Sequence, residues 1–277
     1  MAAISEQSLA LIHEFSTQHI GNTVWAFAKL GLGDIPLISA IASAAIPRLE
    51  QFGPQEITNT VWACAALGFV DVPLLDALSA SAITKITSGE ASTLDIGNTA
   101  WAVASLSIHD FPLLTAISAA SITRRSECSP QDLTNTAWAF ATCGITDQPL
   151  FHALASEAIR KISVLSPQDL ARLSWAFAKL LCRNTHLLES IAAASIAKIT
   201  ALVPLNITNI VWAFARLSLQ DQPFIDALAG ESIPKIRAFT HQNLANTVWA
   251  IATLNYSLTE KMVPFLVEVI EKIGDFS

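Results

Sequence analysis

The chain has 277 residues and a formal net charge of −7, with 52% hydrophobic and only 14% charged residues. This composition could suit a membrane protein, but polar residues interrupt every apolar run before about 18 residues, so we expect no membrane span. The amino terminus lacks arginine and carries two glutamates, which is typical of neither a signal peptide nor a transit peptide. The four cysteines form no CxxC pair, so we expect free thiols.

The first predicted element is a helix from Ser5 to Phe15, and beyond it a tryptophan motif recurs along the whole chain. Successive tryptophans are separated by 37, 39, 37, 37, 37 and 37 residues, and each is followed by Ala-x-Ala. An asparagine lies three residues before the tryptophan in every case but one, where Arg172 replaces it. A fixed period of this length indicates a repeat protein.

The first helix of each repeat, helix A, contains the tryptophan and has recognisable start and stop signals. Ser129-Pro-Gln-Asp132 and Ser166-Pro-Gln-Asp169 are capping boxes, in which the serine and the acid bond each other's backbone N–H groups. We expect helix A to stop near a glycine, as at Gly31, Gly68 and Gly144.

In five repeats the second helix, helix B, begins at an aspartate nine residues after the tryptophan, and a proline follows two positions later. These aspartates are Asp34, Asp71, Asp110, Asp147 and Asp221. Helix B ends near a cation, namely Arg48, Lys85, Arg124, Lys161, Lys198 or Lys235. Such cations suit the negative end of the helix dipole, and a row of them could also bind a ligand.

These signals predict an all-α fold, an α-solenoid of about seven 37-residue helix–turn–helix repeats in a right-handed superhelical stack. One repeat cannot bury its own apolar stripe, and stacking on its neighbours does so. The two extra residues in the 39-residue spacing fall in a loop at Ser88–Ser92, and a helix from Thr259 to Phe276 closes the chain. We expect residues 1–277 to form a single solenoid domain.

Helical projection at about 100° per residue places the apolar positions of helix A on one face. The asparagine, the tryptophan and the fourth residue after it share the opposite face, which we call the ladder. A ligand grip and packing between helices are both compatible with the constant Asn and Trp, whereas the changing fourth residue favours binding. The candidate residues are Asn22, Trp25, Lys29, Asn59, Trp62, Asn98, Trp101, Ser105, Asn135, Trp138, Thr142, Arg172, Trp175, Lys179, Asn209, Trp212, Arg216, Asn246, Trp249 and Thr253.

The fifth repeat departs from the pattern. Arg172 and Leu173 replace the Asn-Thr pair, Leu181 replaces the glycine and His186 replaces the proline. We expect Arg172 and Lys179, about two turns apart, to lie on one exposed face.

No catalytic arrangement is visible in the sequence. The six histidines occupy different repeat positions and show no metal-ligand spacing, and there is no phosphate-binding glycine loop or nucleophile elbow. We therefore expect a binding protein that is not an enzyme, with no cofactor and no metal.

The phrases IGNTVWAFAKLGLGDIPLI and LTNTAWAFATCGITDQPLF resemble the heptatricopeptide repeat and are similar to octotricopeptide repeats. The resemblance implies an α-solenoid that binds single-stranded RNA in mitochondria or chloroplasts and supports transcript stability, translation or ribosome assembly. The alternative is an armadillo-like scaffold in which asparagines hold an extended peptide or protein partner, or a structural subunit of a large complex.

Overall fold

The computed structural model describes residues 2–254 and 262–274, and within these ranges every regular element is helical. The fifteen α-helices are α1 Ala2–Leu11, α2 Thr17–Lys29, α3 Ile35–Ala45, α4 Pro54–Leu67, α5 Val72–Thr87, α6 Thr93–Ser105, α7 Phe111–Thr123, α8 Pro130–Thr142, α9 Gln148–Arg160, α10 Pro167–Lys179, α11 Thr185–Ala197, α12 Pro204–Arg216, α13 Gln222–Lys235, α14 His241–Leu254 and α15 Met262–Gly274.

The helices alternate between the two predicted types, which confirms the all-α helical repeat. The seven tryptophans lie on the A helices α2, α4, α6, α8, α10, α12 and α14. The first predicted helix is observed as α1, followed by a 3-10 turn from Ile12 to Glu14. The predicted loop at 88–92 separates α5 from α6. The closing helix is α15, and the predicted positions 259–261 and 275–276 lie outside the described residues.

The A helices begin at the predicted capping boxes. In α8 the Ser129 Oγ accepts the Asp132 N–H at 3.2 Å, and the Asp132 carboxylate accepts the Ser129 N–H at 2.8 Å. The same reciprocal pair forms at Ser166 and Asp169. A serine box that the sequence analysis did not single out also starts α6, at Ser92 and Asp95.

The B helices begin at the predicted aspartates. Each accepts the backbone N–H of the residue three positions on, as Asp71 does from Leu74 at 2.9 Å. In the fifth repeat Asn184 takes this role and accepts from Leu187 at 3.0 Å. An amide oxygen caps a helix as a carboxylate does, which explains why the change to asparagine is tolerated.

The A helices α2, α4, α6, α8, α10 and α12 end at a residue in the left-handed conformation, six positions after the tryptophan. The predicted stops Gly31, Gly68 and Gly144 have φ of 67°, 63° and 69°. The repeats without glycine keep the same backbone, with φ of 57° at Ser107, 56° at Leu181 and 52° at Ser218. The stacking of the repeats therefore imposes this turn even on residues that disfavour it.

The helices form two compact units, residues 1–143 and 144–277. In the amino-terminal unit the A helices α2, α4, α6 and α8 pack in sequence, and the B helices α1, α3, α5 and α7 form a second row. In the carboxy-terminal unit the A helices are α10, α12 and α14, and the B helices are α9, α11, α13 and α15.

The core of each unit lies between its two rows. The apolar residues five positions before and two positions after the tryptophan are buried in all seven A helices, as predicted; examples are Ile20, Phe140 and Leu170. In the carboxy-terminal unit Phe151 of α9 packs edge-on against Phe177 of α10, with ring centroids 4.8 Å apart.

Contacts between neighbouring A helices within a unit differ at the residue four positions before the tryptophan, which is Ala171 where α10 packs on α12. At α2–α4 and α6–α8 a glycine allows close backbone approach: a Cβ on Gly21 would lie 3.2 Å from the Glu56 Cα, and one on Gly97 3.1 Å from the Asp132 Cα. At α4–α6 and α12–α14 the same position is threonine, and Thr58 and Thr208 share hydroxyl hydrogen bonds with Thr99 and Thr247. The glycine and threonine contacts alternate along the amino-terminal unit.

Candidate nucleic-acid interface

The variable ladder position, four residues after the tryptophan, is exposed in all seven A helices. Two of its hydroxyls are satisfied within their own helix, since Ser105 and Thr253 each donate to the tryptophan carbonyl one turn earlier at 2.8 Å. Exposure in every repeat leaves this position free to vary without disturbing the core. Its members are Lys29, Ala66, Ser105, Thr142, Lys179, Arg216 and Thr253.

The ladder tryptophans pack on one another in the amino-terminal unit. The rings of Trp62 and Trp101 stack at a centroid distance of 6.1 Å, and those of Trp101 and Trp138 at 6.5 Å. Five tryptophans are half-buried, whereas Trp25 and Trp249, on the first and last A helices, are 40% and 48% exposed. The row therefore joins neighbouring repeats and leaves part of each ring at the surface.

The ladder asparagines are also partly engaged in packing. The Asn135 amide donates to the Asn98 Oδ1 at 3.3 Å, and Asn135 is buried. Asn22 is exposed, and Asn59, Asn209 and Asn246 are half-buried. The bond between Asn98 and Asn135 uses amide groups that a clasped peptide backbone would need.

The cations of the A helices cluster on α10 and α12, which pack side by side. Lys179 and Arg216 occupy the same repeat position and are exposed, and the helix spacing puts their backbones about 9–10 Å apart. Arg172, which was predicted to lie with Lys179 on one exposed face, is half-buried and has no acidic partner among the described residues. Exposed Arg183, in the turn after α10, extends the cluster. We call these four residues the basic cluster.

The ladder pattern in the sequence does not single out Arg183, because this residue lies eight positions after Trp175, outside the helix. Its only signal is that charge is rare in this chain, so a fourth cation close to Arg172 and Lys179 stands out. Lys29, in the other unit, is isolated from other ladder cations and lies over the Trp62 ring, with its Nζ 5.4 Å from the centroid. A cation in this position interacts with the negative face of the ring.

The cations that end the B helices are structural. Arg48 donates to the Phe15 carbonyl at 2.7 Å, and Arg124 donates to the Ala91 carbonyl. Lys198 binds the carbonyls of Ser163 and Leu165 in the same manner. We call these residues clamp cations, because each ties the end of helix B to the segment just before helix A of its own repeat. These hydrogen bonds favour a structural role for the cations that end the B helices over a role in ligand binding.

Three of the lysines that end B helices pair with an acid. Glu157 is almost fully buried, and its carboxylate lies 2.9 Å from the Lys161 Nζ and 3.0 Å from Arg160. Glu231 lies 2.8 Å from the Lys235 Nζ. Lys85 instead binds Glu90, within the inserted loop, at 2.8 Å. The charge of each of these lysines is therefore largely compensated within the fold.

The acidic residues of the helix starts are likewise engaged. The aspartates that begin the B helices accept backbone N–H groups, and Asp95, Asp132 and Asp169 bind the first residues of their A helices. Part of the negative charge of the chain therefore lies at helix amino termini, where the helix dipole favours it. No acidic residue occupies the ladder positions.

The described residues contain no group of three or more His, Cys, Asp or Glu side chains that could hold a metal ion. Within the same residues no helix is both long enough and apolar enough to cross a membrane. All four cysteines are free, and burial raises the pKa of the Cys64 thiol to about 12, with the negative charge of Asp71 as a second cause. Such a thiol is a poor nucleophile.

The fold and the ladder define an α-helical repeat protein whose A helices expose a row of tryptophans beside a cluster of cations. Residues 102–273 match the model of the RNA-editing substrate-binding complex 6 protein family. This match covers more than half of the chain, and the chain belongs to that family. It includes the whole basic cluster. No curated protein matches the chain. The heptatricopeptide resemblance is thus supported in its general form, a helical protein associated with RNA, and not in the particular repeat type.

Proposed function

We propose that the chain binds single-stranded RNA through the ladder face of its A helices, as a non-catalytic subunit of an RNA-editing complex. The observation that carries this proposal is the contrast between two sets of cations. The clamp cations bond carbonyls or acids of the fold, whereas Lys179, Arg183 and Arg216 are exposed with no acidic partner among the described residues. Cations that the fold does not use are available to phosphates.

The local charge favours an anionic ligand despite the net charge of −7. Three of the four positive charges of the basic cluster lie on the adjacent A helices α10 and α12, and the fourth, Arg183, lies in the turn after α10. The nearby acid Asp169 is occupied in the capping box of α10. At physiological salt, charges more than about 8 Å away are largely screened. A phosphate on this face would therefore be attracted by the basic cluster more strongly than it is repelled by the acids at the helix starts.

The tryptophans limit how bases can bind. Since Trp62, Trp101 and Trp138 already stack on one another, a base cannot insert between them without separating the helices. Bases would instead contact the exposed part of each ring, and the changing ladder position would provide selectivity. At about one base per repeat, as in other RNA repeat proteins, the footprint is about seven nucleotides.

The test measures the salt dependence of RNA affinity. The double variant Lys179→Gln/Arg216→Gln is compared with Arg125→Gln/Arg237→Gln, which removes the same charge from exposed positions outside the A helices. The probe is a labelled random-sequence single-stranded RNA, and anisotropy gives the affinity over a range of salt concentrations. Each phosphate contact contributes about 0.7 to the slope of log K against log salt, so the ladder variant should lose about 1.4 and the control variant much less.

Equal losses in the two variants would contradict the proposal, because net charge alone would then explain the binding. Absence of RNA binding by the unaltered chain at low salt would also contradict it. The organelle implied by the family resemblance stays a prediction.

A protein scaffold is the second candidate, and one observation favours it. The first residues of α3, α5 and α7 are Ile35, Val72 and Phe111, which are exposed and apolar, whereas α9, α11 and α13 begin with the polar residues Gln148, Thr185 and Gln222. A row of exposed apolar side chains is typical of a protein contact. If Phe111→Lys abolishes assembly with a protein partner while RNA affinity is unchanged, the scaffold role holds independently of RNA binding.

A further inference from the structure

The fifth repeat places an arginine where the other six repeats place an asparagine, three residues before the tryptophan. Arg172 is half-buried on α10, and its guanidinium makes no hydrogen bond or ion pair with any described residue. The clamp arginines Arg48 and Arg124 behave differently, because each donates to a backbone carbonyl of the fold. The N–H donors of Arg172 are therefore available to a ligand.

The asparagine at the same position of the next repeat is available too. Asn209 lies on α12, which packs on α10, and it is half-buried without a hydrogen bond to any described residue. In the amino-terminal unit, by contrast, Asn135 donates to Asn98 at 3.3 Å, so these two ladder amides are used between helices. The packing of α10 on α12 does not use the polar groups at this position in that way.

The residue types at this position indicate directed hydrogen bonds rather than charge. Six repeats carry a neutral amide there, and only the fifth carries a cation. An amide and a guanidinium share a planar end whose hydrogen-bonding groups lie side by side. Lys179, four residues after the tryptophan, instead ends in a single charged group on a flexible stem. Contact with a phosphate therefore suits Lys179, whereas contact with the edge of a base suits Arg172.

Arg172 and Lys179 flank Trp175 on one face of α10. Arg172 precedes the tryptophan by three residues and Lys179 follows it by four, and these two spacings make side chains neighbours on a helix. Trp175 is half-buried, so part of its ring lies at the surface. Proteins read single-stranded RNA by stacking bases on aromatic rings and bonding their edges. A base on the Trp175 ring would have Arg172 beside its edge and Lys179 near its phosphate.

We propose that Arg172 selects guanine, so that the RNA bound by this chain carries a guanine at the base that meets the fifth repeat. The O6 and N7 atoms of guanine accept two N–H groups from one arginine, and this pair is the commonest specific contact between arginine and a base. Adenine sets a donor beside its N7 and therefore cannot accept the same pair. The inference rests on the proposed RNA binding and adds the identity of one base.

Fluorescence anisotropy with short labelled RNAs measures this selection. The probes are an oligouridylate of about nine nucleotides, slightly longer than the expected footprint, and three variants whose central uridine is replaced by guanosine, adenosine or cytidine. The unaltered chain should bind the guanosine probe about tenfold more tightly than the oligouridylate, as a bidentate contact to a base provides. Adenosine and cytidine should give much smaller gains.

Two substitutions of Arg172 separate base reading from charge. Arg172→Lys keeps the positive charge but loses the paired planar donors, and Arg172→Asn introduces the residue of the other six repeats. Both should remove the preference for guanosine, and circular dichroism verifies that both are folded. Lys179→Gln is the control, since the loss of a phosphate contact should weaken binding of all probes by a similar factor and keep the preference of about tenfold.

Asn209→Arg makes the reciprocal change in the next repeat. The fold should accept this substitution because Arg172 occupies the equivalent position on α10. At about one base per repeat, the variant should bind a probe with two adjacent guanosines about tenfold more tightly than a probe with one. The unaltered chain should gain little from the second guanosine.

Three results would overturn the inference. One is a guanosine preference that persists in Arg172→Lys, because a point charge would then be sufficient. A second is equal affinity for all four probes, which would leave the proposed RNA binding in place and remove the assignment of the base. A third is a preference for cytidine over guanosine, since cytosine also has two adjacent acceptors. Absence of binding to every probe would contradict the proposed function itself, and the inference with it.

Discussion

The left-handed turn that ends the A helices from α2 to α12 allows a direct test of backbone strain. Gly31 has φ of 67°, and a Cβ added there would meet no heavy atom within 4 Å. The cost of Gly31→Ala is therefore a backbone cost alone, about 1 kcal/mol for an L-residue in this conformation. Gly33, two residues on, is equally open but does not have positive φ. Gly33→Ala should be neutral or stabilising by up to about 1 kcal/mol, since it restricts the unfolded chain.

The fifth repeat allows the opposite substitution, in which glycine replaces another residue at the left-handed position. Leu181 has φ of 56° and is 56% exposed, so its side chain contributes little to the core while its backbone is strained. Leu181→Gly should relieve about 1–2 kcal/mol of strain and lose up to about 1 kcal/mol through the greater freedom of glycine in the unfolded state. We expect a net stabilisation of up to about 1 kcal/mol, although leucine is the more hydrophobic residue.

Urea denaturation followed by circular dichroism measures all three variants. The midpoints should order as Leu181→Gly at or above the unaltered chain, Gly33→Ala close to it, and Gly31→Ala below it. If Gly31→Ala and Gly33→Ala lose the same stability, or if Leu181→Gly is clearly destabilised, the backbone does not carry the strain assigned to it.

Two further predictions concern a clamp cation and a buried thiol. Lys198→Met keeps the aliphatic stem but removes the hydrogen bonds to the carbonyls of Ser163 and Leu165. Urea denaturation should therefore show a loss of about 1.5–3 kcal/mol in the free energy of unfolding, while the salt slope of RNA binding stays unchanged. Lys179→Met should instead leave the free energy of unfolding unchanged and reduce the salt slope. A loss of RNA binding without a loss of stability in Lys198→Met would show that the clamp row contacts the ligand. The raised pKa of Cys64, about 12 in the folded chain against about 8.5 unfolded, means that its contribution to stability is complete below pH 8.5 and falls as the pH rises toward 12. Between pH 7.5 and 9.5 the unaltered chain should lose about 1.4 kcal/mol more than Cys64→Ala does, and identical pH profiles of the two would refute the burial of the thiol.

The helix pattern could be predicted from the sequence because its signals are local. The tryptophan period, the Ser-Pro-x-Asp boxes and the Asp-x-Pro starts each act within a few residues, and the structure confirms them. The left-handed backbone at Leu181 is harder to predict, because leucine disfavours this conformation and stacking of the repeats imposes it.

The candidate site was less predictable because its groups interact across repeats. The exposure of the variable ladder position, four residues after the tryptophan, follows from helical periodicity alone. By contrast, the stacking of Trp62 on Trp101 and the amide bond from Asn135 to Asn98 depend on the angle between helices, which no single repeat encodes. The two roles of the cations could be separated only when the carbonyl partners of Arg48 and Arg124 were located.

The alternation of glycine and threonine contacts between A helices gives the protein a longer structural period than its sequence motif. Gly21 and Gly97 allow close approach, whereas Thr58 separates two such contacts and is joined to Thr99 by a hydroxyl bond. The gain or loss of one repeat would place two contacts of the same kind in succession, whereas a change by two would preserve the order. We therefore expect evolutionary growth and shortening of this architecture to proceed by duplication or deletion of repeat pairs.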